Sequence, residues 1–275
     1  MIDCHAHLWD PERGFPWIRP GTPHHRPYTA DDLRRSAPGP DITGTVLVEA
    51  SRGDAGETLA LRELRLRRPE LVAGYVANLH VHGAGGPEAF RDFLEGLGET
   101  RPNGTRLGGA SWEATPRDAR ALVPVLADSG TVLELNLHHR AFDAAARVAR
   151  AHPGLTVVVD HLGNPPHLHQ EPEPQEWLRD LRTAAGVPAV VVKISGLLTQ
   201  QRGVSPHRTA ALVHRVLDAF GPDRCLIGSD WPICLTGGSR AASLAAATGP
   251  LHRLTAGERD DVLSANARRV YGLHG

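Results

Sequence analysis

The sequence predicts an α/β fold, a single (β/α)8 TIM barrel with elaborated loops at the carboxyl ends of its strands. Eight short apolar, β-branched runs alternate with stretches rich in Ala, Leu and Arg, a pattern typical of repeated strand–helix units. The length of 275 residues fits one such barrel. No GxGxxG motif follows the first run, which disfavours the alternative, a doubly wound sheet. Composition does not change along the chain, so we expect one domain over residues 1–275.

The predicted strands read as nearly continuous apolar runs, which is typical of parallel strands covered on both faces. They lie at residues 1–7, 44–50, 71–79, 103–110, 130–137, 155–163, 189–196 and 224–232. Predicted helices lie at residues 29–37, 55–68, 86–97, 115–130, 141–152, 174–186, 206–220, 240–248 and 255–273, several of them opened by Thr or Pro. Two proline-rich segments, residues 11–28 and 161–175, are expected to form long loops, the first of them over the barrel mouth.

Composition excludes several classes of partner. The 30 basic residues nearly balance the 31 acidic ones and form no stripe, so we expect no nucleic-acid partner. No apolar run approaches the roughly 18 residues of a membrane span, and no signal peptide is visible. Cys4, Cys225 and Cys234 form no CxxC motif, which favours a reduced, cytoplasmic location. Lys193 is the one lysine among the basic residues.

Polar residues fall at the end of every predicted strand, where the chemistry of a barrel is located. His5 and His7 are two positions apart in the first strand, so their side chains point the same way. Two converging imidazoles suit a metal ion or an anionic transition state. The other strands end in Glu49, Asn78, Arg106, Asn136 with His138, Asp160 with His161, Lys193 with Ser195, and Ser229 with Asp230 and Trp231.

Several motifs resemble those of a known family. The segments "IDCHAHLWD", "GTVLVEAS", "VVDHLGNPP", "VVVKISGLLT" and "LIGSDWPICL", with the tail "SANARRVYGL", span the chain. Together they resemble the amidohydrolase superfamily, and within it the branch of sugar-acid lactonases and related lactone hydrolases. The resemblance implies a hydrolytic barrel whose centre is lined by His5, His7, His161 and Asp230. In many members these residues hold one divalent metal, whereas some lactone-hydrolysing members work without one.

Two residues depart from the pattern that the resemblance implies. Two-metal members of the superfamily place a lysine at the end of the fourth strand, where this chain has Arg106. This departure argues against a two-metal site. The second strand ends in Glu49, where this branch is expected to have an amide or a small residue. An additional carboxylate near the histidine pair favours a cation, so Glu49 is a further candidate metal ligand.

The residues at the strand ends can be given roles in opening a lactone. Asp230 is the expected general base, which later returns the proton to the leaving alkoxide. His5, His7 and His161 could hold Zn²⁺ together with Asp230, and zinc would lower the pKa of bound water to about 7. Without a metal, the same histidines would donate hydrogen bonds to the carbonyl oxygen.

Other residues are expected to bind the substrate. Arg106 presents a rigid fork of donors for a hydroxyl or a carboxylate. Lys193 and Ser195 are expected to hydrogen-bond a sugar hydroxyl or to orient a neighbour. The remaining candidates are Trp17 and Trp231, which could stack on a sugar ring, together with Glu49, Asn78 and His138.

These expectations favour a hydrolase that opens a small sugar-acid lactone. A metal-dependent decarboxylase or an amide hydrolase on the same barrel is the enzymatic alternative. A barrel that binds a metabolite without turnover is the third reading, and assembly into a homo-oligomer remains open.

Overall fold

The chain forms a closed barrel of eight parallel strands. The structure, a computed structural model, describes residues 1–36, 41–170 and 174–273. Each strand pairs with the next one along the chain. Ala6 bridges Trp231, the Asp230 amide donates to the His5 carbonyl at 2.8 Å, and the His7 amide donates to the Trp231 carbonyl at 2.7 Å. These bonds join the last strand to the first, which confirms the predicted (β/α)8 barrel.

The strands are shorter than the apolar runs that predicted them. They are β1 Ile2–Ala6, β2 Gly44–Val48, β3 Val72–Asn78, β4 Gly104–Gly109, β5 Val132–Leu137, β6 Val157–Val159, β7 Val190–Ile194 and β8 Cys225–Ile227. The largest differences are at the carboxyl ends of β6 and β8. There the backbone of His161 and Asp230 turns to positive φ, 51° and 57°, and leaves the sheet ladder.

The helices agree with the predicted stretches except that two stretches are divided and that the short helix Leu197–Gln200 was not predicted. They are α1 Ala30–Arg35, α2 Gly56–Arg67, α3 Gly86–Leu97, α4 Arg117–Arg120, α5 Val123–Ser129, α6 Ala141–Ala151, α7 Gln175–Ala185, α8 Leu197–Gln200, α9 Pro206–Phe220, α10 Arg240–Thr248, α11 Ala256–Asp260 and α12 Asn266–Tyr271. The stretch 115–130 divides into α4 and α5, and a π-helical turn, Asp261–Ala265, separates α11 from α12. Residue 37 and residues 171–173, in the predicted helix 29–37 and loop 161–175, lie outside the described residues.

Two apolar layers hold the barrel together. Between strands and helices, α9 buries Leu212, Val213, Val216, Leu217 and Phe220 on one face, the spacing of an amphipathic helix. At the amino-terminal end of the barrel, Tyr271 and Leu273 pack with apolar strand residues such as Ile2, Val46, Val158 and Leu226. This layer forms a floor, so the polar side chains collect above it. No described helix is both long and apolar enough to cross a membrane.

Candidate active site

Four residues from three strand ends form what we call the catalytic cluster: His5, His7, His161 and Asp230. His5 lies in β1, His7 directly follows it, and the other two follow β6 and β8. The His5 ring centroid is 4.9 Å from that of His7 and 4.5 Å from that of His161. Asp230 Oδ1 lies 3.6 Å from His7 Nε2 and 3.9 Å from His5 Nε2. The structure therefore brings all four predicted residues together.

Two glycines make room for this cluster. A Cβ on Gly228 would lie 2.6 Å from His5 Cβ, and a Cβ on Gly196 would lie 2.9 Å from His161 Nδ1. Gly196 also has a φ of +70°, a conformation that glycine adopts without steric cost. The glycines of "KISG" and "IGSD" are thus explained by the close approach of neighbouring strand ends to the histidines.

The tautomer of His7 follows from its hydrogen bonds. Its Nδ1 lies 2.9 Å from the carbonyl oxygen of Val48 and 3.0 Å from that of Glu49. Because a carbonyl only accepts, Nδ1 carries the proton. In the singly protonated ring, Nε2 then presents a lone pair toward the Asp230 carboxylate. Two acceptors that face each other at 3.6 Å create a place for a cation or for the hydrogens of a water molecule.

The pKa values of Asp230 and of His161 are both lowered, for different reasons. Burial alone would raise the pKa of Asp230, but the adjacent His161, His7 and His5 outweigh it and the pKa is lowered. Burial lowers the pKa of His161, and the nearby Asp230 and Asp160 carboxylates oppose this shift only in part. Asp230 can therefore accept a proton at neutral pH.

The cluster contains a donor set that fits a metal ion. His5, His161 and Asp230 each offer a ligand atom, and these atoms lie within 4.8 Å of one another. His5 Nε2 is buried and has no hydrogen-bond partner among the described residues. Two imidazoles and a carboxylate are ligands that zinc prefers. His7 is not part of this set, although its Nε2 lies next to Asp230.

Glu49, Arg106 and Asn78 form a second group at the mouth, which we call the Glu49 cluster. Arg106 Nε donates to Glu49 Oε1 at 2.6 Å, and Asn78 Nδ2 donates to Oε2 at 3.0 Å. The Ser51 amide donates to the same Oε2 at 2.7 Å. With both oxygens engaged, Glu49 is better explained as the partner of Arg106 than as the additional metal ligand expected from the sequence.

Arg106 is held rigidly by this cluster. Its Nη2 donates to the Glu49 carbonyl at 2.7 Å, and only 6% of the residue is exposed. Burial alone would lower the pKa of Arg106, but the Glu49 carboxylate outweighs it and the pKa is raised. Among the described residues Nη1 has no hydrogen-bond partner, so this nitrogen remains available to a ligand.

Lys193 and Ser195 act on neighbouring side chains. Lys193 is fully buried, with its Nζ 2.7 Å from Glu134 Oε2, which disfavours the contact with a sugar hydroxyl expected from the sequence. Ser195 is also buried, and its Oγ lies 2.9 Å from His161 Nδ1. Of the two roles expected for this pair, orienting a neighbour is the one that the geometry favours.

The predicted aromatic contacts differ from one another. Trp17 is 38% exposed, and its Nε1 donates to the Ala50 carbonyl at 2.6 Å, so one face remains available for a ligand. Trp231 is 2% exposed and packs edge-on against Tyr28, which disfavours the stacking role expected for it. His138 is exposed beyond β5, where it lines a small cavity with Asn164 and Trp177.

Sequence reasoning did not single out two features of the site. His24, in the loop after β1, packs edge-on against Trp9 and near Trp17. Burial lowers its pKa, and the charge of Asp230 opposes the shift, so His24 lies within the field of the catalytic cluster. The second feature is Glu134, a carboxylate in the middle of the apolar run "TVLELNL". A charge buried within a strand requires a partner. The lone carboxylate in this apolar run could therefore have predicted a buried partner for Glu134.

Comparison with known proteins identifies the family. The model of the amidohydrolase family matches residues 2–273. The chain belongs to the amidohydrolase family. The motif resemblance seen in the sequence is thereby confirmed.

Individual relatives extend over nearly the whole chain. An L-fucono-1,5-lactonase of Burkholderia multivorans is 29% identical, covering 99% of this chain and 96% of that protein. A crystal structure of an amidohydrolase from Burkholderia multivorans with bound zinc is 27% identical, has a TM-score of 0.86 and covers 99% of both chains. A 5-carboxyvanillate decarboxylase from Sphingomonas paucimobilis is 12% identical with a TM-score of 0.62, covering 100% of this chain and 99% of that chain. That last likeness shows the fold alone.

Proposed function

We propose that this protein hydrolyses a small lactone, and that the substrate is a sugar-acid lactone. The observation that carries the proposal is the Asp230 carboxylate, 3.6 Å from the Nε2 lone pair of His7 and 3.9 Å from His5 Nε2, at the carboxyl ends of the barrel strands. An ionised carboxylate beside imidazole groups is suited to adding water to an ester carbonyl. The fucono-lactonase from Burkholderia multivorans supports this choice of substrate class.

The first step requires a base and a place for water. Asp230 Oδ1 and His7 Nε2 both accept hydrogen bonds at the same point, so a water molecule between them is held with its oxygen toward the substrate. Asp230 takes the proton as the water oxygen attacks the lactone carbonyl. The adjacent imidazoles keep the pKa of this carboxyl low despite its burial, so it is ionised before the reaction begins.

The later steps require donors on the other side of the carbonyl. His5 and His161 flank Asp230 and can donate to the oxygen on which negative charge develops. When the ring bond breaks, Asp230 returns its proton to the departing alkoxide. One carboxylate thus acts first as base and then as acid.

The proposed reaction can proceed with or without a divalent metal, and zinc is the first candidate for such an ion. His5, His161 and Asp230 would hold it, with His7 beside them. When bound, such an ion polarises a carbonyl and makes water more acidic. The amidohydrolase of Burkholderia multivorans with bound zinc supports this assignment.

The Glu49 cluster and the loop after β1 would bind the rest of the substrate. Arg106 offers Nη1 from a rigid position, which suits a hydroxyl or a carboxylate on the lactone. Trp17 offers one face of its ring above the mouth. A polar donor opposite an aromatic face is a common arrangement for binding sugars, because a sugar ring has both hydroxyl edges and apolar C–H faces.

A panel of sugar-acid lactones, followed by the acid released, tests the proposal. We expect turnover of at least one aldonolactone by the wild-type protein and loss of it in Asp230→Asn. Release of CO₂ from an aromatic carboxylate without lactone hydrolysis would instead favour the decarboxylase reading. Binding of lactones without turnover would favour a barrel that binds metabolites.

A further inference from the structure

Below the catalytic cluster lies a second polar group, completely buried within the barrel. Lys193 Nζ is 2.7 Å from Glu134 Oε2, 3.2 Å from Asp160 Oδ1 and 3.3 Å from His5 Nδ1. Tyr271 of α12 hydrogen-bonds the other oxygen of Glu134 at 2.5 Å. Lys193, Glu134 and Asp160 are 0% exposed, so these three side chains do not meet the substrate.

The acceptors of this group would by themselves form a cation site. His5, Glu134 and Asp160 offer ligand atoms that lie within 4.8 Å of one another. The Lys193 ammonium lies within 3.3 Å of one such atom of each of the three residues. It supplies the positive charge at this point, so the buried carboxylates are compensated without a metal.

We propose that Lys193 is a positioning residue, a tethered cation that holds the proton of His5 on Nε2 and thereby weakens zinc binding at the catalytic cluster. An ammonium group has three donors and no acceptor. Its contact with Nδ1 is favourable only when Nδ1 carries the lone pair. His5 and His7 then have opposite tautomers, since His7 carries its proton on Nδ1 against the Val48 and Glu49 carbonyls.

Asp160 is the competing partner of His5. Its Oδ1 lies 3.4 Å from His5 Nδ1, and a carboxylate favours the opposite tautomer because it only accepts. The ammonium has the advantage while it remains charged. Its Nζ lies 2.7 Å from Glu134 Oε2 and 3.2 Å from Asp160 Oδ1, so its charge is compensated where it stands. Without the ammonium, Nδ1 of His5 would therefore carry the proton and donate a hydrogen bond to Asp160.

The tautomer determines what His5 can do at the mouth. With the proton on Nε2, His5 is a donor, ready for the oxygen on which negative charge develops. This part of the inference rests on the proposed function. A metal ligand must instead present a lone pair, so binding through Nε2 requires the proton to move to Nδ1, against Lys193. The single lysine of an arginine-rich chain fits here because a planar guanidinium is bulkier than an ammonium.

The tautomer can be measured on the intact wild-type protein without any activity assay. Protein labelled with ¹⁵N in its histidines, treated with chelator, is examined by long-range ¹H–¹⁵N correlation, and His5→Gln identifies the His5 signals. We expect a protonated Nε2 and an unprotonated Nδ1 in His5. The reverse pattern would overturn the proposal, whether or not the protein hydrolyses lactones.

Zinc affinity provides the second test, by competition with a chromophoric chelator. Lys193→Met is expected to move the His5 proton to Nδ1 and to tighten zinc binding by about 10- to 100-fold, the effect of changing a partner of a metal ligand. Tyr271→Phe is the matched control, because it alters the same buried group without touching His5, and it should leave the affinity unchanged.

Combination with Asp230→Asn identifies the site of the added affinity. If the tightening disappears in the double variant, the ion is bound in the catalytic cluster and the proposal is supported. If it persists, the ion occupies the space vacated by Lys193, and the proposed control through the tautomer is wrong. An unchanged affinity in a folded Lys193→Met protein would also contradict it. The wild-type spectrum remains decisive if that variant does not fold.

Discussion

The catalytic cluster and the Glu49 cluster lie at the same mouth but differ in how completely their polar atoms are paired. Around Glu49 both carboxylate oxygens accept hydrogen bonds from Arg106, Asn78 or the Ser51 amide. In the catalytic cluster the Nε2 atoms of His5 and His7 face the Asp230 carboxylate at 3.9 and 3.6 Å, beyond hydrogen-bonding distance. The Glu49 cluster, in which these atoms are paired, is therefore rigid. The catalytic cluster, in which they are unpaired, has donors and acceptors available for hydrogen bonds to a reactant.

Asp230→Asn tests the unpaired side of this comparison and should have the largest effect. The amide cannot take a proton from water, so we expect kcat to fall by about 10³- to 10⁴-fold, within the range of general acid–base catalysis, with the fold intact. Initial rates on the best lactone of the panel, with circular dichroism, measure both. Asp128→Asn, an exposed aspartate on α5, is the matched control. A decrease of less than tenfold would remove Asp230 from the role of base.

Glu49→Gln tests the paired side and should act on stability more than on chemistry. The change leaves the Arg106 guanidinium buried without its counter-charge, which should cost about 3–5 kcal/mol. Urea unfolding measures this loss. Replacing both residues, as Glu49→Gln with Arg106→Gln, should recover part of the stability. A large decrease in kcat with unchanged stability would show that Glu49 itself takes part in the reaction and would abolish the distinction between the clusters.

Much of the fold and the catalytic cluster could be predicted from the sequence, because alternating strand and helix patterns and polar strand ends are local signals. The pairing of Glu49 with Arg106 could not, since 57 residues separate them in the chain and only barrel closure brings them together. The same holds for Lys193, whose neighbours lie in β1, in β5 and directly after β6. Its position at a strand end suggested a contact with substrate, but the side chain points into the barrel.

Glu57 holds the backbone next to the Glu49 cluster and so belongs to the paired side of the comparison. It accepts hydrogen bonds from the backbone amides of Ala50 and Arg52, directly after Glu49. Burial, together with the charge of Glu49, raises its pKa from 4.5 to about 7. A carboxyl with a raised pKa stabilises the folded state below its unfolded pKa and loses that contribution as pH rises through the folded value.

We therefore expect Glu57 to make the protein less stable as pH rises from about 4.5 to 8, by about 3 kcal/mol at 1.36 kcal/mol per pKa unit. Glu57→Gln should flatten this dependence in urea unfolding measured across the same range. Glu49→Gln should shift the dependence to lower pH, because it removes the neighbouring charge. A wild-type profile parallel to that of Glu57→Gln would mean that Glu57 has the same pKa in the folded and the unfolded protein, and the prediction would be wrong.

Ser195→Ala should have the smallest effect and gives the sharpest test, because it removes only the hydrogen bond that holds His161 in the catalytic cluster. His161 loses its hydrogen bond at Nδ1, worth about 1 kcal/mol, so kcat/KM should fall by about fivefold. Ser129→Ala, a partly buried serine at the end of α5, is the control and should leave the rate unchanged. If catalysis depends on imidazoles held by single bonds, the loss should appear in kcat with KM nearly unchanged. A change in KM alone would place Ser195 in contact with the substrate, and the two clusters would then differ less than their hydrogen bonds indicate.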